Sequence, residues 1–137
     1  MFTAATTEKA QTKARVGAKA HRTVGRGVQW GEEEALEACE CLMDIAAALF
    51  NVSGKEMRRP GRTSLGVSRV RQISMYVAHV TLGLNMSDVG RGFGRDRTTV
   101  VYACHLIEDM RDVEEFDGVV AMMERVIIAA FGDRLER

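Results

Sequence analysis

The stretch from Gly83 to Cys104 constrains the fold of this chain more than any other. Gly83-Leu84-Asn85 breaks a preceding helical pattern, and Ser87 reads as the cap of a short helix from Asp88 to Phe93. Gly94-Arg95 then makes a tight turn, and Asp96 caps a longer helix from Arg97 to about Asp112. Two helices, the first short, joined by a few residues that include glycine predict a helix-turn-helix. In Arg95-Asp96-Arg97-Thr98-Thr99-Val100-Val101-Tyr102-Ala103-Cys104, charged and hydroxyl groups fill the first turn and an apolar stripe follows. Such a first turn carries the donors and acceptors that a recognition helix offers to base edges in a DNA major groove.

The rest of the chain predicts an all-α helical bundle around that unit. A first helix is expected from Glu32 to Phe50, with Leu36, Cys39, Leu42, Met43, Ala46, Leu49 and Phe50 on its apolar side. Gly54 to Met57 suits a short turn, and Arg58 to Val67, holding the single proline, reads as an irregular loop. Ser68 is a plausible cap for a second long helix, Arg69 to about Leu82, and a last helix is expected from about Gly118 to Phe131. With 46% apolar residues the chain can build one core, which places one domain at 31–134 behind a basic arm at 1–30. The arm shows no apolar periodicity and reads as unstructured, either a solvated tail or a phosphate-contacting extension. No window holds eighteen apolar residues and no secretory h-region is visible, so a cytoplasmic protein without membrane contact is expected. Cys39, Cys41 and Cys104 lack disulfide or zinc spacing and are expected to be reduced, as core or helix-edge residues.

A net charge of zero hides strong segregation. Residues 31–54 carry only acids, whereas from Lys55 to Arg97 nine bases face Glu56, Asp88 and Asp96, and acids dominate again beyond Val101. The basic blocks point to a polyanionic partner that the near-neutral total conceals.

On the Arg97 helix, Val100, Ala103, Leu106, Ile107 and Met110 project to one side, and Arg97, Thr98, Val101, His105 and Glu108 to the other. The acids at its C-terminal end would repel phosphate, so the helix is expected to enter a groove by its first turn. Arg97 can bond guanine O6 and N7, and Thr98 can meet a thymine methyl or a base edge. Asp96 can cap the helix, accept from cytosine N4, or do both. Thr99 projects inward and is expected to pack or bond backbone. Arg71 and Gln72, placed with Met75 and His79 on the outer side of the preceding long helix, suit phosphate contacts. The arginines of the loop, Arg58, Arg59 and Arg62, could enter a narrow minor groove or simply face solvent.

Taken together, Arg58-Arg59-Pro60-Gly61-Arg62, Arg71-Gln72-Ile73-Ser74-Met75, Gly90-Arg91-Gly92-Phe93-Gly94 and Arg95-Asp96-Arg97-Thr98-Thr99-Val100 resemble the C-terminal DNA-binding domain of the bacterial replication initiator DnaA. The resemblance covers about Glu34 to Arg111. It implies an all-α domain with a helix-turn-helix of the kind also seen in the Trp repressor. It further implies base reading by Asp96 and Thr98 with Thr99 in support, phosphate contacts from Arg71 and Gln72 joined by Arg95, and a minor-groove arginine from the loop. Where the family usually has histidine this chain has Arg97, and the turn holds Gly94 where two glycines commonly stand. Arginine there favours a site different from, or more guanine-dependent than, the standard DnaA box.

The phosphate-cradling Gly-x-x-x-x-Gly-Lys-Ser/Thr loop of the initiator's ATPase does not occur in this sequence. His21, His79 and His105 have no carboxylate or cysteine constellation around them, so no enzyme, cofactor or metal is expected. The leading expectation is a sequence-specific binder of double-stranded DNA, a transcriptional regulator or replication modulator, with a homodimer as one possible form. The alternative is a protein-interaction module that uses the Met-rich last helix.

Overall fold

A computed structural model describes residues 29–135, and the expected arm at 1–30 lies almost wholly outside them. Among the described residues seven helices follow in order: α1 Glu32–Phe50, α2 Gly54–Arg58, α3 Leu65–Val80, α4 Met86–Phe93, α5 Arg97–Met110, α6 Glu114–Ala130 and α7 Gly132–Leu135. No strand occurs among the described residues, so the all-α expectation holds.

The core forms around α3, which packs on α1, α4 and α5 and meets α6 at its far end. Val70, Ile73, Met75, Tyr76, Val77 and Ala78 are all buried, so α3 hides far more than one stripe. Met75, expected on the outer side, is 1% exposed for this reason. α4 crosses between α1 and α5 at very short range. A Cβ built on Gly92 would lie 2.3 Å from Cys39 Sγ, so the α1–α4 crossing requires glycine there. On α1, Leu42, Met43 and Ala46 are buried as expected, whereas Leu36 and Leu49 stay partly open at 37% and 41%.

Three helix starts lie upstream of their expected positions, two with a side-chain cap and one with acids at the helix dipole. α3 begins at Leu65 because Ser64 Oγ accepts from the Val67 N–H at 3.3 Å, while Ser68 Oγ shares a 3.0 Å bond with Thr63 Oγ1. The α4 cap is Asn85, whose Oδ1 accepts from Asp88 N–H at 2.8 Å, in place of Ser87. α6 starts at Glu114, with Glu114, Glu115 and Asp117 at the positive end of its dipole.

A polar cluster pins α6 to the bundle. Arg111, 4% exposed, pairs through Nε with Asp117 at 2.5 Å and through Nη1 with Glu124 at 3.0 Å. The same Nη1 donates to Tyr76 Oη at 3.2 Å, and Tyr76 donates to Glu108 Oε2 at 2.5 Å. Glu108 therefore bonds inward to α3, which corrects its assignment to the outer side of α5. Burial and the Glu108 bond push the Tyr76 phenol well above its ordinary range.

Cys39 and Cys104 are buried and Cys41 is exposed. Burial, with nearby carboxylates, raises both buried thiols to about 12. In the native reduced protein at pH 8, a thiol reagent is expected to titrate one cysteine quickly, and all three after denaturation. Rapid labelling of Cys39 or Cys104, located by mass spectrometry, would show that the α1–α4–α5 core opens readily.

Candidate nucleic-acid interface

The turn between α4 and α5 sets the candidate surface. Gly94 closes α4 at φ 65°, a left-handed conformation that glycine adopts without strain. Arg95 N–H donates to Gly90 O at 2.8 Å, and a Cβ on Gly90 would meet Arg95 O at 2.7 Å. Both glycines let the chain reverse tightly enough to bring the start of α5 to the surface.

Asp96 occupies the N-cap position of α5 but makes no side-chain capping bond. Its carboxylate stays exposed, and Arg97, Thr98 and Thr99 are exposed with it. None of these four side chains is engaged by another group among the described residues. Thr99 thus faces outward, against the inward projection drawn from the sequence. The helical wheel failed because only Val100, Ala103, Cys104 and Ile107 of α5 are buried, and its first turn stands proud of the core. Tyr102, one turn beyond Thr98 and 63% exposed, shares this surface and was missed by sequence reasoning, although its i+4 spacing from Thr98 was there to read.

Arg71 departs most from expectation. It is 6% exposed, because α3 is surrounded on this side by α2 and the loop. Its Nε donates to Met57 O at 2.9 Å, and its Nη2 donates to Glu56 O at 3.0 Å and Thr63 Oγ1 at 3.2 Å. Burial, followed by the neighbouring Arg95 charge, lowers its pKa from the usual arginine value. Gln72 is half-buried and accepts from Arg69 at 2.9 Å through Oε1, leaving its amide donors uncommitted. His79 is bonded at Nδ1 to Leu84 O at 2.7 Å and belongs to the α3–α4 corner, far along α3 from Arg71.

The loop arginines have divided roles. Arg58 is tied to α1, through Nη2 to Glu40 at 2.7 Å and Asp44 at 2.9 Å, and these bonds raise its pKa. The loop option for Arg58 is therefore corrected: its guanidinium is bound to α1. Arg59 is 64% exposed and pairs with Glu56 at 3.1 Å, an exposed pair of small energetic weight. Arg62 is exposed and makes no ion pair among the described residues. Arg95, half-buried, donates through Nη2 to Arg59 O at 2.7 Å, so the loop and the helix-turn-helix touch. The described arginines are mostly paired, and Arg62 and Arg97 stand out on this basic side as guanidiniums without a partner.

A family model for the bacterial DnaA protein helix-turn-helix matches residues 39–107. The chain belongs to this family. The match runs from the middle of α1 to the last buried residue of α5, and so takes in the DnaA-type turn, the loop and the bracing of Arg71. The chromosomal replication initiator protein DnaA of Mycobacteroides abscessus is 34% identical over 87 residues, 62% of this chain and 18% of that protein. The chain thus spans less than a fifth of that relative's length. The DnaA-type domain is a DNA-binding helix-turn-helix, and no helix among the described residues is long and apolar enough to cross a membrane.

Proposed function

We propose that this chain binds double-stranded DNA at specific sequences and acts by occupying them, as a transcriptional regulator or a modulator of replication. The observation that carries the reading is the first turn of α5. Asp96, Arg97, Thr98 and Thr99 are exposed together with no side-chain partner among the described residues, on a basic side of the molecule. Exposed polar groups held by a rigid helix start lose little freedom when they meet base edges, which favours selective contacts. In this reading Asp96, Arg97, Thr98 and Thr99 face the major groove. The uncommitted amide of Gln72 and the spare donors of Arg95 face phosphates, and Arg62, with Arg59, reaches the adjacent minor groove. Arg71 supports that surface from beneath.

The test is fluorescence anisotropy against a DnaA-box duplex, a scrambled duplex and a randomised pool carried through selection, over a salt series. Salt-dependent binding with one enriched motif is expected, tighter than binding to the scramble by at least about a thousandfold. A motif with an added guanine would fit Arg97 in place of the family's usual histidine. Weak and equal binding to every duplex would defeat the reading and bring forward a protein partner for α6, on which Val119 and Ile128 are each 37% exposed.

A further inference from the structure

From Arg58 to Gly66 no side chain is buried, so the loop has no apolar anchor of its own. Its shape rests on two arginines from elsewhere in the fold. Arg71 of α3 holds both ends, gripping Glu56 O and Met57 O at the start and Thr63 Oγ1 near the finish. Arg95 of the α4–α5 turn holds the loop by Arg59 O, across 36 positions of sequence. None of these bonds uses a carboxylate. Each sets a cation on a neutral oxygen, so these bonds, unlike those of Arg58 to Glu40 and Asp44, brace the loop without cancelling positive charge.

We propose that Arg95 is a positioning residue that couples the loop to the recognition helix, so that Arg62 and the first turn of α5 engage DNA as one rigid unit. The coupling follows from connectivity. Arg95 N–H is bonded to Gly90 O, its side chain is bonded to Arg59 O, and Asp96 and Arg97 follow it directly. Any swing of the loop away from α5 must break the Arg95–Arg59 bond. A free loop would pay its own ordering entropy on reaching a groove, whereas a braced loop has already lost that freedom. This inference rests on the DNA-binding reading above. It assigns to Arg95 a role distinct from phosphate contact, which would act independently of Arg62.

The experiment is a double-mutant cycle with the full chain on its selected duplex, using wild type, Arg62→Ala, Arg95→Ala and the double variant, each checked for native helicity. With coupling, Arg62→Ala weakens binding about tenfold in the wild-type background and less than about twofold once Arg95 is alanine. Hydroxyl-radical footprints of Arg95→Ala should lose minor-groove protection beside the site, while protection of guanine N7 from dimethyl sulfate in the major groove remains. Equal factors for Arg62→Ala in both backgrounds, or retained minor-groove protection in Arg95→Ala, would overturn the coupling while leaving DNA binding in place. Absence of any sequence preference by the wild-type chain would overturn the DNA-binding reading, and the coupling with it.

Discussion

Arg111→Met is expected to lower the unfolding free energy by about 3–5 kcal/mol, the range for breaking a buried ion pair on one side only. Methionine can occupy much of the space but cannot answer the charges that arginine leaves behind. Glu124, 9% exposed, would keep one contact to Thr81 Oγ1 at 3.3 Å and lose its cation. Tyr76 would keep its bond to Glu108 and lose the donor at its oxygen. Asp117, in the first turn of α6, would lose its 2.5 Å bond to Nε. Those losses fall on α6, which otherwise docks through Val120, Met123 and Ile127. Urea unfolding followed by circular dichroism and by Trp30 fluorescence would measure the cost. Trp30 reports well because Nε1 donates to Leu82 O at 2.7 Å and the ring packs edge-on against Phe131 at 6.4 Å. A second variant separates charge from packing: Arg111→Met with Glu124→Leu is expected to recover most of the loss. If the single variant cost less than about 1 kcal/mol, the cluster would behave as a surface ion pair. Apolar contact alone would then hold α6.

That cluster also marks where the sequence stops being readable. The helix-turn-helix was legible because its information is local: two breaks, a cap and an apolar stripe within one short stretch. The cluster around Arg111 draws on α3, α5 and α6, and no periodic pattern links Tyr76, Glu108, Asp117 and Glu124. Arg71 failed for a related reason. A helical wheel assumes one wet side, and α3 is enclosed over most of its circumference, so an arginine opposite Val70 and Ile73 still meets α2 carbonyls. Thr99 failed in the opposite sense. The wheel placed it near the apolar stripe, but the bundle ends below the first turn of α5 and leaves nothing for Thr99 to pack on. The exposure of Asp96, Arg97 and Thr98 was nonetheless legible in the sequence, because it depends only on their place in the opening turn of α5.

The largest effect on selectivity is expected from Arg97. An exposed arginine in the first turn, without a partner among the described residues, can set its planar fork on guanine O6 and N7, and two parallel bonds discriminate where one does not. Arg97→Ala is expected to weaken binding to the selected site by about 1–3 kcal/mol and to flatten the preference at one base pair only. Binding to scrambled DNA should change far less, through the loss of a single charge. The distinction can be read from the salt dependence. Removing a residue that binds a base keeps the log-log slope nearly constant, whereas removing one that binds phosphate makes it shallower by about one unit. Arg97→His, which restores the family's usual residue, should keep the site but shift preference at that same position, since an imidazole cannot make the bidentate contact. Competition binding with duplexes varied one base pair at a time would give all three results. An equal loss of affinity for every sequence, with a shallower slope, would move Arg97 to the phosphate-contacting set. Base reading would then fall to Asp96, Thr98 and Thr99, whose short side chains require α5 to sit deeper in the groove.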